Sequence, residues 1–360
     1  MRATHFHLST DVRRRVFDVR HLPGAAAWRA ARALAHDGAT VIVGGAPGRE
    51  RLQAFESLLS DRGLGDLVIQ RGSEAHGLLV ESAAEIPTEL AAAPVELVDV
   101  PDGNHGPDIE YRDESAVGRV SLVGGGPGDP SLLTLQALTE IAHADVIFLD
   151  RLGIALEALD LAPGAIIVDV GKSPGRHRLA QERINEEMYQ LAAAGAHVVR
   201  LKGGDVFIFG RGGEEWRYLA ERSIPVDIVP GVTSALAVPA HAGISATLRH
   251  VTRTVTIISA HEVLSEKEAR GLVDLGGTIM ILMGVATFES TVSSLLEAGM
   301  SPETGVALIE QGFTPHERHT MTSLGTAVED ARARAVKNPA IIAIGEVVNR
   351  REPTAALDQP

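Results

Sequence analysis

Short apolar runs alternate along this chain with longer segments that are apolar only every third or fourth residue. The first pattern is that of strands and the second that of helices. Near the N-terminus, Val16 to Val19 is a strand candidate, Ala25 to Ala35 an Ala-rich helix closed by Gly38, and Thr40 to Val43 a β-branched strand. Arg49 to Ser60 reads as a second helix and Leu67 to Ile69 as a third strand. That βαβαβ order predicts a parallel sheet with Rossmann-like winding. From Gly118 the runs RVSLVGGG, DVIFLD, AIIVDVG and HVVRLKGGD alternate with LTLQALTEIAHA and a helix from Gln181 to Ala194. From about Thr254 a second series follows: TVTIISA, TIMILMG, GVALIEQG and AIIAIGEVV, separated by helical segments such as SSLLEAG. The expected fold class is α/β, with two subdomains and a ligand cleft between them.

Between the two halves, the run VDVPDGNHGPDIEYRDESAVG mixes Pro, Gly and charge with no apolar period, so it reads as a linker. The expected organisation is a small Rossmann-like domain over 1–100, a linker over 101–117, a larger unit over 118–350 that divides near residue 230, and a tail over 351–360.

Composition narrows the chemistry. Of 360 residues, 45% are hydrophobic and 22% charged, which suits a soluble globular protein. No apolar run approaches the roughly 20 residues of a membrane helix, and the first residues lack a secretory apolar stretch. A cytoplasmic protein with no membrane partner is expected. The chain has no cysteine, which excludes disulfides, Cys-ligated zinc, iron–sulfur clusters and a thiolate nucleophile. A net charge of −14 disfavours nucleic acid as a partner, because nonspecific binding to it rests on phosphate neutralisation. A local Arg cluster can still bind a small anion.

Four segments carry candidate chemistry. Gly124-Gly125-Gly126-Pro127-Gly128-Asp129-Pro130 follows the strand VSLV and precedes a helix expected over Leu132 to Ala142, whose N-terminus can face an anion. It is not a phosphate-binding P-loop, since no Gly-Lys-Ser/Thr follows; a plain tight turn is the alternative. Leu201 to Glu215 holds five glycines and reads as an ordered loop wrapped around a ligand. Within it Asp205 suits a cationic ligand group and Arg211 a carboxylate, unless the two simply pair with each other. Gly171 to His177 is a basic loop suited to an anionic substrate or to solvent. His177 has no second ligand at a useful spacing, so no metal site is expected. Pro230-Gly231-Val232-Thr233-Ser234-Ala235 leads into a small-residue helix, where Thr and Ser either cap the helix or bind a ligand. A dinucleotide turn is missing from the N-terminal part. His21-Leu22-Pro23 stands where a G-x-G-x-x-G turn would sit, and Gly44-Gly45 follows the wrong strand.

In order and wording, GGGPGDPSLLTLQAL…ADVIFLDRL, GKSPGRH…QERIN, VVRLKGGDVFIFGRGGEE, IPVDIVPGVTSA and PAIIAIGEVV closely resemble the uroporphyrinogen-III C-methyltransferase family over about residues 118 to 350. The resemblance implies a tetrapyrrole methylase fold. It also implies methyl transfer from S-adenosyl-L-methionine to ring carbons of uroporphyrinogen III, giving precorrin-2 and S-adenosyl-L-homocysteine, on the way to sirohaem or cobalamin. Its cofactor residues fall on Pro127, Gly203, Gly204, Asp205, Ile208, Thr233, Ser234, Met283 and Gly312. Its proton acceptor falls on Asp150 and its proton donor on Lys172. Arg151, Arg211 and Arg249, with Lys172, are the cations expected to meet the substrate's carboxylates. A homodimer is implied as well. The N-terminal region resembles a shortened precorrin-2 dehydrogenase domain of sirohaem synthase that has lost its nucleotide turn. Against the family pattern, Val206 replaces a Pro, Leu149 a Tyr and Ser173 an Arg, while Ile244 to Arg249 lacks a Pro and a His. These departures keep two alternatives open: methyl transfer to another tetrapyrrole, or a non-catalytic tetrapyrrole- or cofactor-binding regulator.

Overall fold

The computed structural model describes residues 54, 56–63, 117–150, 162, 165–171 and 180–352, and the backbone of four short strands before them. Those strands are β1 (Val16–Asp18), β2 (Thr40–Ile42), β3 (Leu79–Val80) and β4 (Val95–Leu97). They pair in parallel in the order β3-β2-β1-β4. The first two match the sequence expectation, while β3 and β4 were not anticipated. The strand expected at Leu67 to Ile69 and the helix expected at Ala25 to Ala35 lie outside the described residues. Helix α1 covers 56–61, overlapping the end of the expected Arg49 to Ser60 segment.

The first large sheet follows from five apolar runs: β5 (Arg119–Gly124), β6 (Val146–Leu149), β7 (Ile166–Asp169), β8 (His197–Lys202) and β9 (Val226–Val229). All pair in parallel, in the order β7-β6-β8-β5-β9. Parallel strands need both faces covered, which is why the runs are nearly continuous in apolar residues. On one face Val123, Ile147, Leu149, Ile167, Val199 and Leu201 pack with Ala137 and Ile141 of α2 (Leu135–Ala142). Near the other face lie α3 (Gln181–Ala193) and α4 (Gly212–Ala220).

Helix α2 begins later than expected. Asp129 accepts a hydrogen bond from the Ser131 N–H at 2.8 Å and caps a 3-10 turn over Pro130–Leu132. Leu133 and Thr134 are extended, and the Thr134 hydroxyl then caps α2 by accepting from the Ala137 N–H at 3.1 Å.

The second large sheet mixes directions: β10 (Val255–Ser259), β11 (Thr278–Leu282), β12 (Gly305–Glu310), β13 (Arg318–Ser323) and β14 (Ala340–Ile344). Its order is β10-β11-β14-β12-β13, with β14 antiparallel to both neighbours. Helices α5 (Ser234–His241), α6 (Glu266–Leu275), α7 (Phe288–Glu297), α8 (Ala327–Ala333) and α9 (Glu346–Asn349) complete this half. Period-two alternation divides its strands between two cores. Ile279, Ile281, Leu308 and Ile342 join one, and Met280, Ala307, Ile309 and Ala343 join the other.

The N-terminal part touches the larger unit just after α1. Arg62 pairs with Glu187 of α3, and Glu187 also pairs with Arg183 at 2.6 Å. Arg183 in turn donates to the Arg62 carbonyl at 2.5 Å. No helix among the described residues is long and apolar enough to cross a membrane.

Candidate active site

Because β5 to β9 all run in one direction, their C-terminal ends share one edge of the sheet. In chain order that edge carries the Gly125–Asp129 turn, Asp150, Gly171, the Gly203–Asp205 turn and Pro230-Gly231. Loops at this edge are the usual ligand position in parallel α/β sheets.

Three of the turns interlock through bare backbone. Gly126 and Gly204 form a bridge, with the Gly126 N–H donating to Gly204 O at 3.2 Å and the Gly204 N–H donating to Gly126 O at 2.6 Å. A methyl group added to Gly124 would lie 2.5 Å from Gly231 N and 2.8 Å from Gly204 O. Only glycine permits this approach. Gly204 also faces the Thr233-Ser234 turn, at 3.6 Å from its Cβ position to Ser234 N. The sequence-predicted Gly203, Gly204, Asp205, Thr233 and Ser234 therefore come together.

Asp205 is used inside this arrangement. Its Oδ1 accepts from the Phe207 and Ile208 N–H groups at 2.8 and 3.2 Å, and its Oδ2 from the Gly231 N–H at 3.3 Å. It thus holds Ile208 in place, and that side chain is exposed. Asp205 does not pair with Arg211. Arg211 instead makes a two-pronged contact with Glu214, at 3.0 and 2.6 Å. The stretch expected to be all loop also becomes helical at Gly212, so Glu214 and Glu215 lie in the first turn of α4. Thr233 spends its hydroxyl on the α5 cap, accepting from the Ala235 N–H at 3.4 Å.

The second sheet supplies the opposing wall. Strands β11 and β12 point the same way, so Met283 and Gly312, just beyond their ends, share an edge. Met283 has φ 57° and an exposed side chain. Gly312 packs on α5, where a Cβ would lie 2.6 Å from the Val238 methyls. Gly128, next to Pro127, faces the same turn, with its Cβ position 3.8 Å from Gly312 O. Glu317 ties that turn down by accepting from the Phe313 N–H at 2.6 Å and pairing with His319 at 2.6 Å and His241 at 3.1 Å. Burial alone would raise the Glu317 pKa, but these partners outweigh it and hold it low.

Asp150, at the end of β6, is partly exposed and receives the Arg200 Nη2 at 2.5 Å on Oδ2. Arg249 is exposed in a turn closed by Leu248 and Thr252, and no described contact ties it to either strand edge. Arg151 and Lys172 lie outside the described residues. No group of three or more His, Asp or Glu among the described residues is arranged to hold a metal ion. Sequence reading missed Arg200, Glu215 and Gln181. The available signal was two cations two positions apart, Arg200 and Lys202, in an otherwise apolar strand.

The site fits a nucleoside-bearing sulfonium cofactor. Its floor is glycine backbone that accepts close approach, and its exposed side chains at Ile208 and Met283 are apolar.

Comparison with known proteins gives the family of the chain. The family model "Tetrapyrrole (Corrin/Porphyrin) Methylases" matches residues 119–328. The S-adenosyl-L-methionine-dependent uroporphyrinogen III methyltransferase of Methanosarcina barkeri is 46% identical over 238 residues, covering 64% of this chain and 92% of that protein. Siroheme synthase 1 of Halorhodospira halophila is 42% identical over 234 residues, which are 48% of its own length. The uroporphyrin-III C-methyl transferase of Thermus thermophilus, solved with S-adenosyl homocysteine, superposes with a TM-score of 0.55 at 36% identity, covering 66% of this chain and 96% of that one. The chain belongs to the tetrapyrrole (corrin/porphyrin) methylases.

Proposed function

We propose that this protein transfers methyl groups from S-adenosyl-L-methionine to ring carbons of uroporphyrinogen III, giving precorrin-2 and S-adenosyl-L-homocysteine. The observation that carries the reading is the single strand edge on which Asp150 and the interlocked glycine turns both lie. The names of the relatives, and the S-adenosyl homocysteine bound to one of them, support it.

When bound, S-adenosyl-L-methionine supplies an electrophilic methyl group on a sulfonium sulfur. The residues that hold it are those of the glycine floor, with Ile208, Thr233 and Ser234 beside them and Met283 and Gly312 opposite. Their task is alignment, so that a ring carbon attacks the methyl in line while the sulfur keeps the bonding pair. The methylated carbon then sheds its proton. Asp150 Oδ2 is held by Arg200, and Asp150 is taken, as the resemblance implies, as the acceptor of that proton. Lys172 is proposed as the proton donor, and Arg151, Arg211 and Arg249 as carboxylate contacts, on the resemblance alone. Arg211 must leave Glu214 to serve.

The same reading makes the protein a cytoplasmic homodimer and leaves residues 1–100 without dehydrogenase activity, since His21-Leu22-Pro23 stands in place of the nucleotide turn. The test is an anaerobic assay with uroporphyrinogen III and S-adenosyl-L-methionine, read by mass spectrometry, with NAD in a parallel tube. Two added methyls and no NAD-dependent oxidation are expected. Cofactor binding without methylation of this substrate would overturn the assignment. Asp150→Asn is expected to cut turnover about 100-fold with cofactor affinity nearly unchanged; wild-type turnover would remove its role.

A further inference from the structure

Strand β8 puts Arg200 and Lys202 on the face away from Val199 and Leu201. Arg200 is fully buried. Its guanidinium reaches two carboxylates at once: Nη2 to Asp150 Oδ2 at 2.5 Å, and Nε to Glu215 Oε1 at 3.1 Å. Nη1 donates to the Phe148 and Leu201 carbonyls at 3.4 and 3.3 Å. Glu215, also fully buried, is held in turn by Lys202 Nζ at 3.0 Å and by Gln181 Nε2 at 2.9 Å. Gln181 is itself fixed to Asn185 Oδ1 at 2.9 Å. The cluster holds two cations and two anions, and only Asp150 reaches solvent to a useful degree, at 22% side-chain exposure.

A buried ion cluster is an expensive way to fill the space between a sheet and its helices, where apolar side chains would serve as well or better. Its value lies in what its end does. A planar, permanently charged fork fixes a carboxylate in orientation as well as in place. Arg200 keeps its proton. Burial opposes the charge, but Glu215 and Asp150 more than compensate and raise its pKa further.

We propose that Arg200 is a positioning residue for Asp150, and that Glu215, braced by Lys202 and Gln181, fixes the Arg200 guanidinium from the opposite side. The proposal rests on the reading of Asp150 as the proton acceptor. In it Arg200 touches neither cofactor nor substrate. It holds Oδ2 so that Oδ1 faces the ring carbon that loses its proton.

The test uses the full chain and four variants: Arg200→Lys, Arg200→Gln, Asp150→Asn and the double variant Asp150→Asn/Arg200→Lys. The readouts are kcat, KM for each substrate, S-adenosyl-L-homocysteine binding by calorimetry, and Tm. Arg200→Gln is expected to lower kcat about 100-fold and Arg200→Lys about 10-fold, because the charge returns without the fork. KM and cofactor affinity are expected to stay within about twofold. The double variant is expected to be no slower than Asp150→Asn alone, since the two residues act as one unit. If Arg200→Gln fails to fold, Arg200→Lys and the double variant decide. The proposal is overturned if both Arg200 variants lose activity only in step with folded protein, or if Arg200→Lys multiplies the Asp150→Asn defect. Wild-type turnover by Asp150→Asn would overturn the base assignment and the positioning role together. A slow Asp150→Asn beside a fast Arg200→Lys would overturn the positioning role alone.

Discussion

The two large sheets fill their interiors by opposite means. In the sheet of β5 to β9, one face of β8 is charged, and the charge is matched by Glu215 from α4 and Asp150 from the strand edge. In the sheet of β10 to β14, both faces of the central strands are apolar, with Ile279, Ile281 and Leu308 on one side and Met280, Ala307 and Ile309 on the other. Asp150 and the glycine turns, which the proposed function assigns to the reaction, lie at the edge of the first sheet. The second contributes two turns, at Met283 and Gly312. The fully buried Arg200–Glu215 pair lies behind Asp150 in the first sheet, while apolar clusters flank the central strands of the second, whose buried Glu310 pairs with Arg318 at the strand end.

Four substitutions press on that contrast. Leu308→Ala, in the second sheet, is expected to cost about 2–5 kcal/mol in chemical denaturation. Activity per folded molecule should hold, because no reacting group is touched. A large fall in kcat at full folding would show that the second sheet is more than a wall. Gly231→Ala places a methyl 2.6 Å from Gly124 C, against backbone that has nowhere to go. A cost of about 1–3 kcal/mol is expected, felt chiefly as weaker S-adenosyl-L-homocysteine binding in calorimetry.

Glu140→Gln tests the first sheet away from its reactive edge. Glu140 of α2 accepts from Ser121 Oγ at 2.7 Å and pairs with His197 at 3.1 Å and Arg119 at 2.8 Å. Burial pushes its pKa up, but the hydrogen bonds from His197 and Ser121 and the nearby positive charge bring it down to about 2. A carboxylate with a lowered folded pKa stabilises the fold above its unfolded value and loses that effect as pH falls through the folded one. Glu140→Gln should therefore lower stability at pH 7 by about 1–2 kcal/mol after solvent screening. The gap from wild type should close between the ordinary value of 4.5 and about 2, read as Tm against pH. Gly271→Ala is the smallest and has the opposite sign. Gly271 lies inside α6 with nothing within 4 Å of its Cβ position, so a gain of about 0.5–1 kcal/mol is expected in thermal unfolding.

Most strands of the two large sheets were legible because burial on both faces writes a continuous apolar run, as in Val146–Leu149 and Ala340–Ile344. Strand β13 was not, because RHTMTS is an edge strand in which only Thr320 is buried, and it carries little apolar signal. The start of α2 was misjudged because Pro130 opens a separate 3-10 turn before Thr134 caps the helix. The glycine-rich stretch was legible as irregular only in part: Gly203, Gly204 and Gly210 lie in the turn, but Gly212 and Gly213 open α4. Which partners Asp205 and Arg211 take was not legible. Asp205 is consumed by three backbone N–H groups in its own turn and at Gly231, and Arg211 by Glu214 in the first turn of α4. The buried cluster around Arg200 escaped because its members come from β6, β8, α3 and α4, and sequence spacing joins only Arg200 to Lys202.

The contact between Arg62 and α3 bears on how the molecule comes apart. Glu187 has no solvent exposure, and it draws one of its cations from beyond α1 and the other from its own helix. Release of the earlier segment would strand half of that neutralisation in a dry place, a penalty that α3 would share. The same helix carries Gln181, which braces Glu215. The two portions of the chain are thus thermodynamically coupled. A single calorimetric melting transition is expected rather than two, and proteolytic removal of the segment through Arg62 should lower the melting point of what remains.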